Sequence, residues 1–291
     1  MSASAAESRI LLGILFICLA GVLFSVMGGF GKILGQDYSS LQVSWARTFV
    51  HLLFMLAMFM PRHGLGLLRT RRLPTQLARS AMLFLSNLCF FYAITYTPLA
   101  KASSISLASP LIVALLAWPM LGERTTRARV IALAVGFLGV LVVIRPGTEL
   151  YQPASLFILA SAGCYAIYQL LTRRIAATEA PETLATYSAV VGSIGMLVVL
   201  PFVWITPAGL FDLSLFIGTG VLGALGHYFV ARALIAAPAN IVTPFQYFQL
   251  LGAVTIGYLF FGDLPDALTW LGAAIIVGAG LSIGWSQTRR P

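Results

Sequence analysis

A long apolar run lies near the start of the sequence at residues 10–34, where the chain reads ILLGILFICLAGVLFSVMGGFGKIL. Lys32 is the only charged residue in this run, and no small-residue cleavage site interrupts it. An α-helix needs about 20 mostly apolar residues to cross the hydrocarbon core of a bilayer. The run is therefore too long for the apolar part of a secretory signal, and it predicts a first membrane helix.

The composition of the whole chain extends this prediction. Hydrophobic residues make up 59% of the 291 residues and charged residues only 9%, whereas a soluble domain carries roughly 25% charged residues. This excludes an ordinary soluble fold. The net charge of +9 is carried in short loops between apolar stretches, so we interpret it as a topology signal and not as a nucleic-acid site. Cys18, Cys89 and Cys164 fall singly in apolar segments and are expected to be free thiols.

Ten apolar stretches are long enough to be membrane spans. They cover residues 10–34, 39–60, 75–97, 100–121, 127–144, 152–172, 183–205, 212–234, 239–261 and 267–286. The connections between them are short and rich in turn-forming residues, so no loop can hold a soluble domain. We therefore predict an all-α integral membrane protein with ten transmembrane helices.

The orientation of the spans follows from the basic residues of the loops, because Lys and Arg are retained on the cytoplasmic side. With the amino terminus inside, the inner segments hold 13 of the 18 basic residues, namely Arg9, Arg62, Arg69, Arg71, Arg72, Arg79, Arg124, Arg127, Arg129, Arg173, Arg174, Arg289 and Arg290. The outer side keeps Lys32, Lys101 and Arg145. This predicts a multi-pass protein of a bacterial inner membrane with both termini in the cytoplasm.

An internal repeat becomes visible when the second half of the chain is aligned with the first. An offset of 140 residues aligns Leu121-Gly122-Glu123 with Phe261-Gly262-Asp263, Pro98 with Pro238, and Asn87 with His227. The predicted halves are residues 1–146, with spans one to five, and residues 147–291, with spans six to ten. Because five is an odd number, the second half enters the membrane from the opposite side. Inverted repeats around a central cavity are typical of secondary transporters.

The sequence also resembles the EamA-type family of the drug/metabolite transporter superfamily. The resemblance rests on Pro98-Leu99-Ala100-Lys101-Ala102-Ser103-Ser104, on Leu121-Gly122-Glu123-Arg124, on Gly136-Phe137-Leu138-Gly139-Val140 and on Arg145-Pro146-Gly147, with a degenerate copy in the second half. It implies ten helices in two inverted repeats and transport without ATP hydrolysis. Members of the family carry amino acids, amino-acid-derived metallophores, vitamins, S-adenosylmethionine or drugs in either direction. Lys101 departs from the commonest pattern of similar proteins, which have an acidic or neutral residue there.

Several kinds of chemistry have no sequence signature in this chain. There is no phosphate-binding G-x-x-x-x-G-K-[ST] loop, no Ser/His/Asp set and no metal-ligand cluster in the spans, so we expect neither an enzyme nor a bound cofactor or metal. All nine acidic residues lie near span ends or in loops. The coupling species is predicted to be a proton or an exchanged metabolite; if it is a proton, His51 or His227 must bind it.

Polar groups deep in a span usually face the bundle interior or a wet cavity, because exposing them to lipid is costly. Arg47 lies inside the second span, with His51 one helical turn further on. The Arg47 guanidinium is suited to bind a substrate carboxylate with two hydrogen bonds. The alternative is that Arg47 bonds freed carbonyls or extends to the membrane surface.

Other candidate substrate-binding residues occur at repeat-related positions. Ser103, Ser106 and Ser109 correspond to Thr243, Gln246 and Gln249; the serines suit helix packing and the two glutamines suit a cavity wall. Asn87 and His227 are expected to line the cavity or to bond neighbouring helices. Lys101 is expected at the cavity mouth or among the outer headgroups. Tyr168 and Gln169 are the candidates from the sixth span.

We therefore predict a secondary transporter that moves a small polar or zwitterionic metabolite by alternating access, in contact with membrane lipid and with no nucleic-acid partner. The favoured substrate is an amino acid or an amino-acid derivative such as a metallophore, and the favoured direction is export. The alternatives are an uptake carrier for a larger cofactor-like metabolite of the S-adenosylmethionine or riboflavin type, a non-transporting membrane protein, and a channel.

Overall fold

The computed structural model describes residues 3–121, 127–148, 152–237 and 242–288, and every regular element among them is helical. In a bilayer this is expected, because a helix satisfies its backbone polar groups internally. The first half contains α1 (Ala3–Asp37), α2 (Ser40–His63), α3 (Leu73–Tyr96), α4 (Leu99–Ser106), α5 (Ala108–Leu121) and α6 (Arg127–Ile144). A 3-10 turn at Gly64–Leu68 follows α2.

The second half begins with α7 (Ala154–Ile175), α8 (Pro181–Gly195) and the one-turn helix α9 (Leu200–Val203). It continues with α10 (Leu210–Ala236), a 3-10 turn at Thr243–Tyr247, α11 (Phe248–Phe261) and α12 (Ala267–Thr288). Gly122 and Glu123, which contribute to the repeat alignment, lie outside the described residues, as does Pro238.

Six stretches in the described part of the chain are long and apolar enough to cross a membrane. They are Ser8–Asp37, Ser40–Leu68, Leu73–Tyr96, Leu99–Leu116, Ala154–Ile175 and Leu210–Ala236. Shorter apolar helices occur at Val130–Ile144, Phe245–Phe261 and Ala267–Ser282. The all-α membrane architecture is confirmed, while the count of ten spans stays a prediction.

Two predicted spans are not continuous helices. The stretch 100–121 is interrupted by one residue, because α4 ends at Ser106 and α5 begins at Ala108; Pro110 has no N–H to donate to the carbonyl of Ser106. The stretch 183–205 is interrupted as well. There α8 gives way to a 3-10 turn at Met196–Val198. Pro201 has no N–H to donate to the carbonyl of Leu197 in this turn.

The helices of the two halves are packed against one another and not side by side as separate bundles. Helix α1 packs against α10, α3 packs against α7, and α6 packs against α12. Helix α2 lies between α10 and α8. Close approach depends on small residues at some crossings: a Cβ on Gly139 of α6 would lie 2.9 Å from the carbonyl oxygen of Gly272 in α12. The interior of the protein is therefore formed by both halves together.

Ion pairs join the halves at the helix ends. Lys32 Nζ at the end of α1 lies 2.6 Å from Asp263 Oδ2, and Arg145 Nη2 after α6 lies 2.5 Å from Asp266 Oδ1. Gly262 ends α11 with φ of 67°, a left-handed conformation that favours glycine. This turn positions Asp263 toward Lys32.

Candidate functional site

A cavity of about 90 Å³ lies in the middle of the bundle, where helices of both halves meet. Its hydroxyl groups come from α3, α4, α5 and α7, and they belong to Ser86, Ser103, Ser106, Ser109 and Ser161. Its amide and imidazole groups come from α3, α10 and the region where the 3-10 turn meets α11, and they belong to Asn87, His227, Gln246 and Gln249. Aromatic rings of Phe24, Phe90 and Tyr165 complete much of the wall.

The break between α4 and α5 forms part of this wall through Ser106, Leu107 and Pro110. The junction between the 3-10 turn and α11 forms another part through Gln246 and Gln249. Leu107 and Tyr247 occupy corresponding positions at the offset of 140 residues found in the sequence. Irregular backbone at membrane depth is tolerated where it is buried in protein or lines a cavity, so the location of both breaks is physically consistent.

Arg47 lies fully buried on α2, directly behind the cavity wall. Its Nη2 donates to His227 Nε2 over 2.8 Å, and its Nε contacts Met27 Sδ at 3.2 Å. Nη1 has no acceptor among the described residues. Gly223 of α10 permits this position, because a Cβ there would lie 3.0 Å from Arg47 Nη2. The guanidinium thus keeps donors available beside the cavity.

His51 is also fully buried, one turn along α2 from Arg47. Its ring stacks on that of His227 with centroids 5.9 Å apart and planes 9° apart. Its Nε2 donates to the carbonyl oxygen of Ala185 over 3.0 Å, since a carbonyl only accepts,. His51 Nδ1 has no partner in the described part of the chain.

Tyr168 connects His227 to a second buried arginine, Arg79 of α3. The Tyr168 hydroxyl lies 3.4 Å from His227 Nδ1 and 3.2 Å from Arg79 Nη2. Arg79 uses its remaining N–H groups on Thr172, Gln76, the Leu184 carbonyl and Ser188, at 2.7–3.0 Å. All five N–H donors of Arg79 are therefore satisfied by neutral acceptors.

This position of Arg79 corrects the sequence interpretation. Arg79 counts there as an inner basic residue, but its side chain is fully buried between α3, α7 and α8. The only sequence signal was its place four residues into the predicted span 75–97. Other basic residues assigned to the same side, such as Arg69, Arg71 and Arg72, do lie in or next to the loop before α3.

The predicted glutamines lie together. Gln169 of α7, which is buried, donates through Nε2 to Ser109 Oγ over 3.3 Å, and Gln246 Nε2 donates to Gln169 Oε1 over 3.0 Å. Gln249 accepts through its backbone oxygen from Ser25 Oγ at 2.9 Å. Asn87 faces the cavity, and its Nδ2 has no acceptor among the described residues. The side chain of Thr243 lies outside the described part.

Lys101 is the candidate that the structure separates from the others. It lies in the first turn of α4, half-buried, with Nζ 3.5 Å from Gln152 Oε1. It does not line the cavity. Of the nine predicted residues, Asn87, His227, Gln246 and Gln249 line the wall, and Arg47, His51, Tyr168 and Gln169 lie behind it. Sequence reasoning missed the wall residues Ser86, Ser161, Phe24 and Phe90, which no pattern distinguishes from packing residues.

The charge of the site is positive. Lys32 pairs with Asp263 and Arg145 pairs with Asp266, and neither Arg47 nor Arg79 has a carboxylate partner among the described residues. The same residues contain no group of three or more His, Cys, Asp or Glu side chains that could hold a metal ion. A binding site with buried guanidinium groups, amides and hydroxyls favours a ligand with an anionic or strongly accepting group.

Comparison with known proteins is consistent with this architecture. The model of the EamA-like transporter family matches the chain twice, over residues 11–145 and 152–284. The chain belongs to this family. As expected of the family, it is a multi-pass membrane transporter of a small-molecule substrate.

Similar curated proteins differ in what they carry. An S-adenosylmethionine uptake transporter of Rickettsia felis is 30% identical over 96% of this chain and 94% of its own. A riboflavin transporter of Rhizobium johnstonii is 31% identical over 97% and 94%, respectively. A pseudopaline exporter of Pseudomonas aeruginosa is 31% identical over 96% and 97%. One solved crystal structure has a TM-score of 0.65 over 97% of this chain and 99% of its own at 21% identity, which shows a shared fold.

Proposed function

We propose that this protein is a secondary transporter of the bacterial inner membrane that carries a small polar or zwitterionic metabolite bearing a carboxylate. The observation that carries the proposal is Arg47, whose Nη1 lacks an acceptor beside a central cavity lined by hydroxyls and amides. A buried guanidinium without an anion is costly, and a bound carboxylate would supply the missing acceptor.

Alternating access requires two states related by the rearrangement of the two halves, and we infer that these halves are inverted repeats with a boundary near residue 146. The double match of the family model supports this inference. The packing of α1 on α10 and of α3 on α7 supports it as well, because exchanging the halves converts one pair into the other. The two breaks at Leu107 and Tyr247 mark the places where helices on either side of the cavity can bend.

The comparison of the two buried arginines supports a ligand role for Arg47 in particular. Arg79 has a full set of neutral acceptors and links α3, α7 and α8. Arg47 keeps a donor without a partner. Both are equally buried, so burial alone does not separate them. The difference in hydrogen-bond satisfaction supports a structural role for Arg79 and a substrate-binding role for Arg47.

Two directions of transport follow from the relatives. Export of an amino acid or an amino-acid derivative is the first candidate, supported by the relative named a pseudopaline exporter. Uptake of a larger cofactor-like metabolite is the second, supported by the relatives named S-adenosylmethionine uptake transporters, which are 27–30% identical over 95–96% of the chain. Direct transport assays in vesicles of both orientations distinguish them.

The experiment that tests the proposal is counterflow in proteoliposomes containing the purified protein. The probes are S-adenosylmethionine, its decarboxylated analogue, riboflavin and a panel of labelled amino acids with their decarboxylated amines. We expect saturable exchange of one or more carboxylate probes. Exchange that does not saturate indicates a channel, and no exchange of any carboxylate probe contradicts the proposed substrate class.

Variants at the two arginines sharpen this test. Arg47→Gln is expected to lower exchange of carboxylate probes about ten- to hundredfold, since a hydrogen bond to a charged group contributes about 1.5–3 kcal/mol. Arg47→Lys keeps the charge but loses the planar fork, so its loss is expected to be smaller. Arg79→Gln is expected to lower the melting temperature of the protein instead. If Arg47→Gln carried carboxylate probes like the unchanged protein, Arg47 would not belong to the site.

A further inference from the structure

His227 lies between Arg47 and the cavity. Its Nε2 is 2.8 Å from Arg47 Nη2, and its Nδ1 is 3.4 Å from the Tyr168 hydroxyl. A guanidinium nitrogen only donates hydrogen bonds, so Nε2 must accept and carry no hydrogen. The hydrogen of the neutral ring is then on Nδ1 and points to Tyr168. Arg47 therefore fixes the tautomer of His227.

No negative charge faces His227 from the helices packed around it, as far as the described residues extend. Helix α2 contributes Arg47 and the stacked ring of His51, and α1 contributes Phe24 at 4.9 Å between ring centroids. Helix α7 contributes Tyr165 and Tyr168, with ring centroids at 6.3 Å and 5.5 Å. Beyond the Tyr168 hydroxyl lie Arg79 of α3 and Ser188 of α8.

We propose that His227 is the binding site for a proton that crosses the membrane together with the substrate carboxylate held by Arg47. This inference rests on the proposed function and adds the coupling ion. A proton bound to His227 Nε2 faces Nη2 of Arg47, which is itself a donor. In the empty site this places a second positive charge at hydrogen-bond distance from the guanidinium and breaks the hydrogen bond between Arg47 and His227. Proton binding is disfavoured while the site lacks an anion.

A carboxylate on Arg47 reverses this balance. It neutralises the guanidinium and draws Nη2 away from the ring, which leaves the Nε2 lone pair free to take a proton from water in the cavity. The proton returns to water when the carboxylate leaves, so no covalent bond is made or broken in the protein. Because coupling between two binding sites is reciprocal, a proton on His227 tightens carboxylate binding by the same factor.

His51 is the other membrane histidine, and its geometry is less suited to this role. It does not line the cavity, and its Nε2–H is held by the Ala185 carbonyl. His227, in contrast, lines the cavity. The consequence is co-transport of one proton and one carboxylate in the same direction. An inward proton gradient then favours uptake of the substrate. Export is driven by an outward concentration gradient of the substrate, and each exported molecule takes a proton with it.

Proteoliposomes with a clamped membrane potential test the coupling, with the carboxylate probes and decarboxylated controls named above. A pH gradient of one unit, alkaline inside, is expected to concentrate a carboxylate probe about tenfold inside. The decarboxylated probe is expected not to respond. In His227→Gln, whose side-chain oxygen can still accept from Arg47, the pH gradient should no longer concentrate the probe, whatever the rate of downhill exchange. His63→Gln, altered at the end of α2 outside the site, should behave like the unchanged protein.

Nitrogen-15 NMR of imidazole-labelled protein in lipid gives a readout that needs no transport. The chain has 3 histidines, at positions 51, 63 and 227, so single substitutions assign each signal. In the empty protein His227 is expected to remain neutral with its hydrogen on Nδ1, and in Arg47→Gln, which lacks the neighbouring cation, the doubly protonated signal is expected to appear at a higher pH than in the unchanged protein.

The results that overturn the inference are distinct from those that overturn the proposed function. If carboxylate probes exchange but His227→Gln concentrates them like the unchanged protein, His227 is not the proton site and the transporter assignment stands. A doubly protonated His227 in the empty protein at neutral pH has the same meaning. If no carboxylate probe exchanges, the proposed function fails, and the effect of Arg47→Gln on the imidazole still decides whether Arg47 controls the proton on His227.

Discussion

Arg47 and Arg79 illustrate how much a single side chain can reveal once its partners are known. Each is a buried guanidinium in an apolar bundle, and each would be costly if left unsatisfied. The sequence singles out Arg47 from its depth in the second span, yet the same reasoning assigned Arg79 to a loop. What separates them is the number of acceptors within reach, and that number depends on neighbouring helices far away in the sequence.

Gly223 provides a test of the Arg47 position without touching any ligand group. A Cβ at Gly223 would lie 3.0 Å from Arg47 Nη2 and 3.1 Å from Nε. In Gly223→Ala the guanidinium must therefore shift by a few tenths of an ångström, which we expect to weaken its bond to His227. We expect exchange of carboxylate probes to fall about tenfold, the equivalent of about 1.4 kcal/mol. Counterflow at several substrate concentrations measures the change.

Gly163→Ala is the matched control for this variant. Gly163 lies on α7, and a Cβ there meets nothing within 4 Å. Alanine also has a higher helix propensity than glycine, so the substitution is expected to stabilise the helix slightly. Unchanged exchange in Gly163→Ala together with unchanged exchange in Gly223→Ala would show that the guanidinium position does not limit transport.

Helix ends carry the polar contacts that the apolar spans lack, and Asp266 at the start of α12 is an example. It accepts from Arg145 Nη2 at 2.5 Å and from the backbone N–H of Thr269 at 2.9 Å. The hydrogen bond from Arg145 is the largest cause that lowers the pKa of Asp266 from 3.8 to about 2. The ionised carboxylate is therefore the form that the folded protein stabilises.

The sign of the pH dependence follows from this shift. A depressed pKa contributes stability that is fully present above the unfolded value of 3.8 and is lost as the pH falls toward about 2,. We expect Asp266→Asn to be less stable than the unchanged protein at neutral pH, by less than about 1 kcal/mol because the Asp266 carboxylate is exposed,. The difference should shrink below about pH 4. Melting temperatures in detergent across this range measure it, and a difference that grew in acid would contradict the assigned pair.

Comparison of predicted and observed helices shows where sequence patterns are sufficient. The runs at 10–34, 127–144 and 152–172 correspond closely to α1, α6 and α7, because uniform apolar composition over a span length leaves the helix as the only structure lipid accepts. The breaks at Leu107 and near Pro201 escaped prediction. A proline in an apolar run is compatible with either a kinked or an interrupted helix, and packing around the cavity decides between them.

The part of the candidate site that could be predicted consists of polar residues within apolar spans, because such residues stand out in the sequence. Asn87, His227, Gln246 and Gln249 line the cavity because amides and imidazoles need partners that lipid does not provide. Lys101 near a helix end carried no such constraint and lies elsewhere. Serines at 86 and 161 pair across helices, a contact that requires knowledge of which helices are neighbours.

For the molecule as a whole, the decisive feature is the orientation of each half in the membrane, because alternating access around one cavity depends on it. If the halves are inverted, the link before α3 and the corresponding link between α8 and α10 lie on opposite faces of the bilayer. The first link contains Arg69, Arg71 and Arg72, and the second contains no basic residue between Trp204 and Leu210. The positive-inside rule then places the first link in the cytoplasm.

Single cysteines introduced at Arg71 and at Gly209, in a protein whose Cys18, Cys89 and Cys164 are replaced by serine or alanine, test this arrangement in intact cells. A membrane-impermeant maleimide is expected to label Gly209→Cys and to leave Arg71→Cys unlabelled until the membrane is permeabilised. A third cysteine at Arg127, before α6, serves as an inside control, since both termini and both basic links share one face under this threading. Labelling of Arg71→Cys and Gly209→Cys from the same side would mean that the two halves are parallel. Two parallel halves could not open the shared cavity to each face in turn by exchanging their conformations.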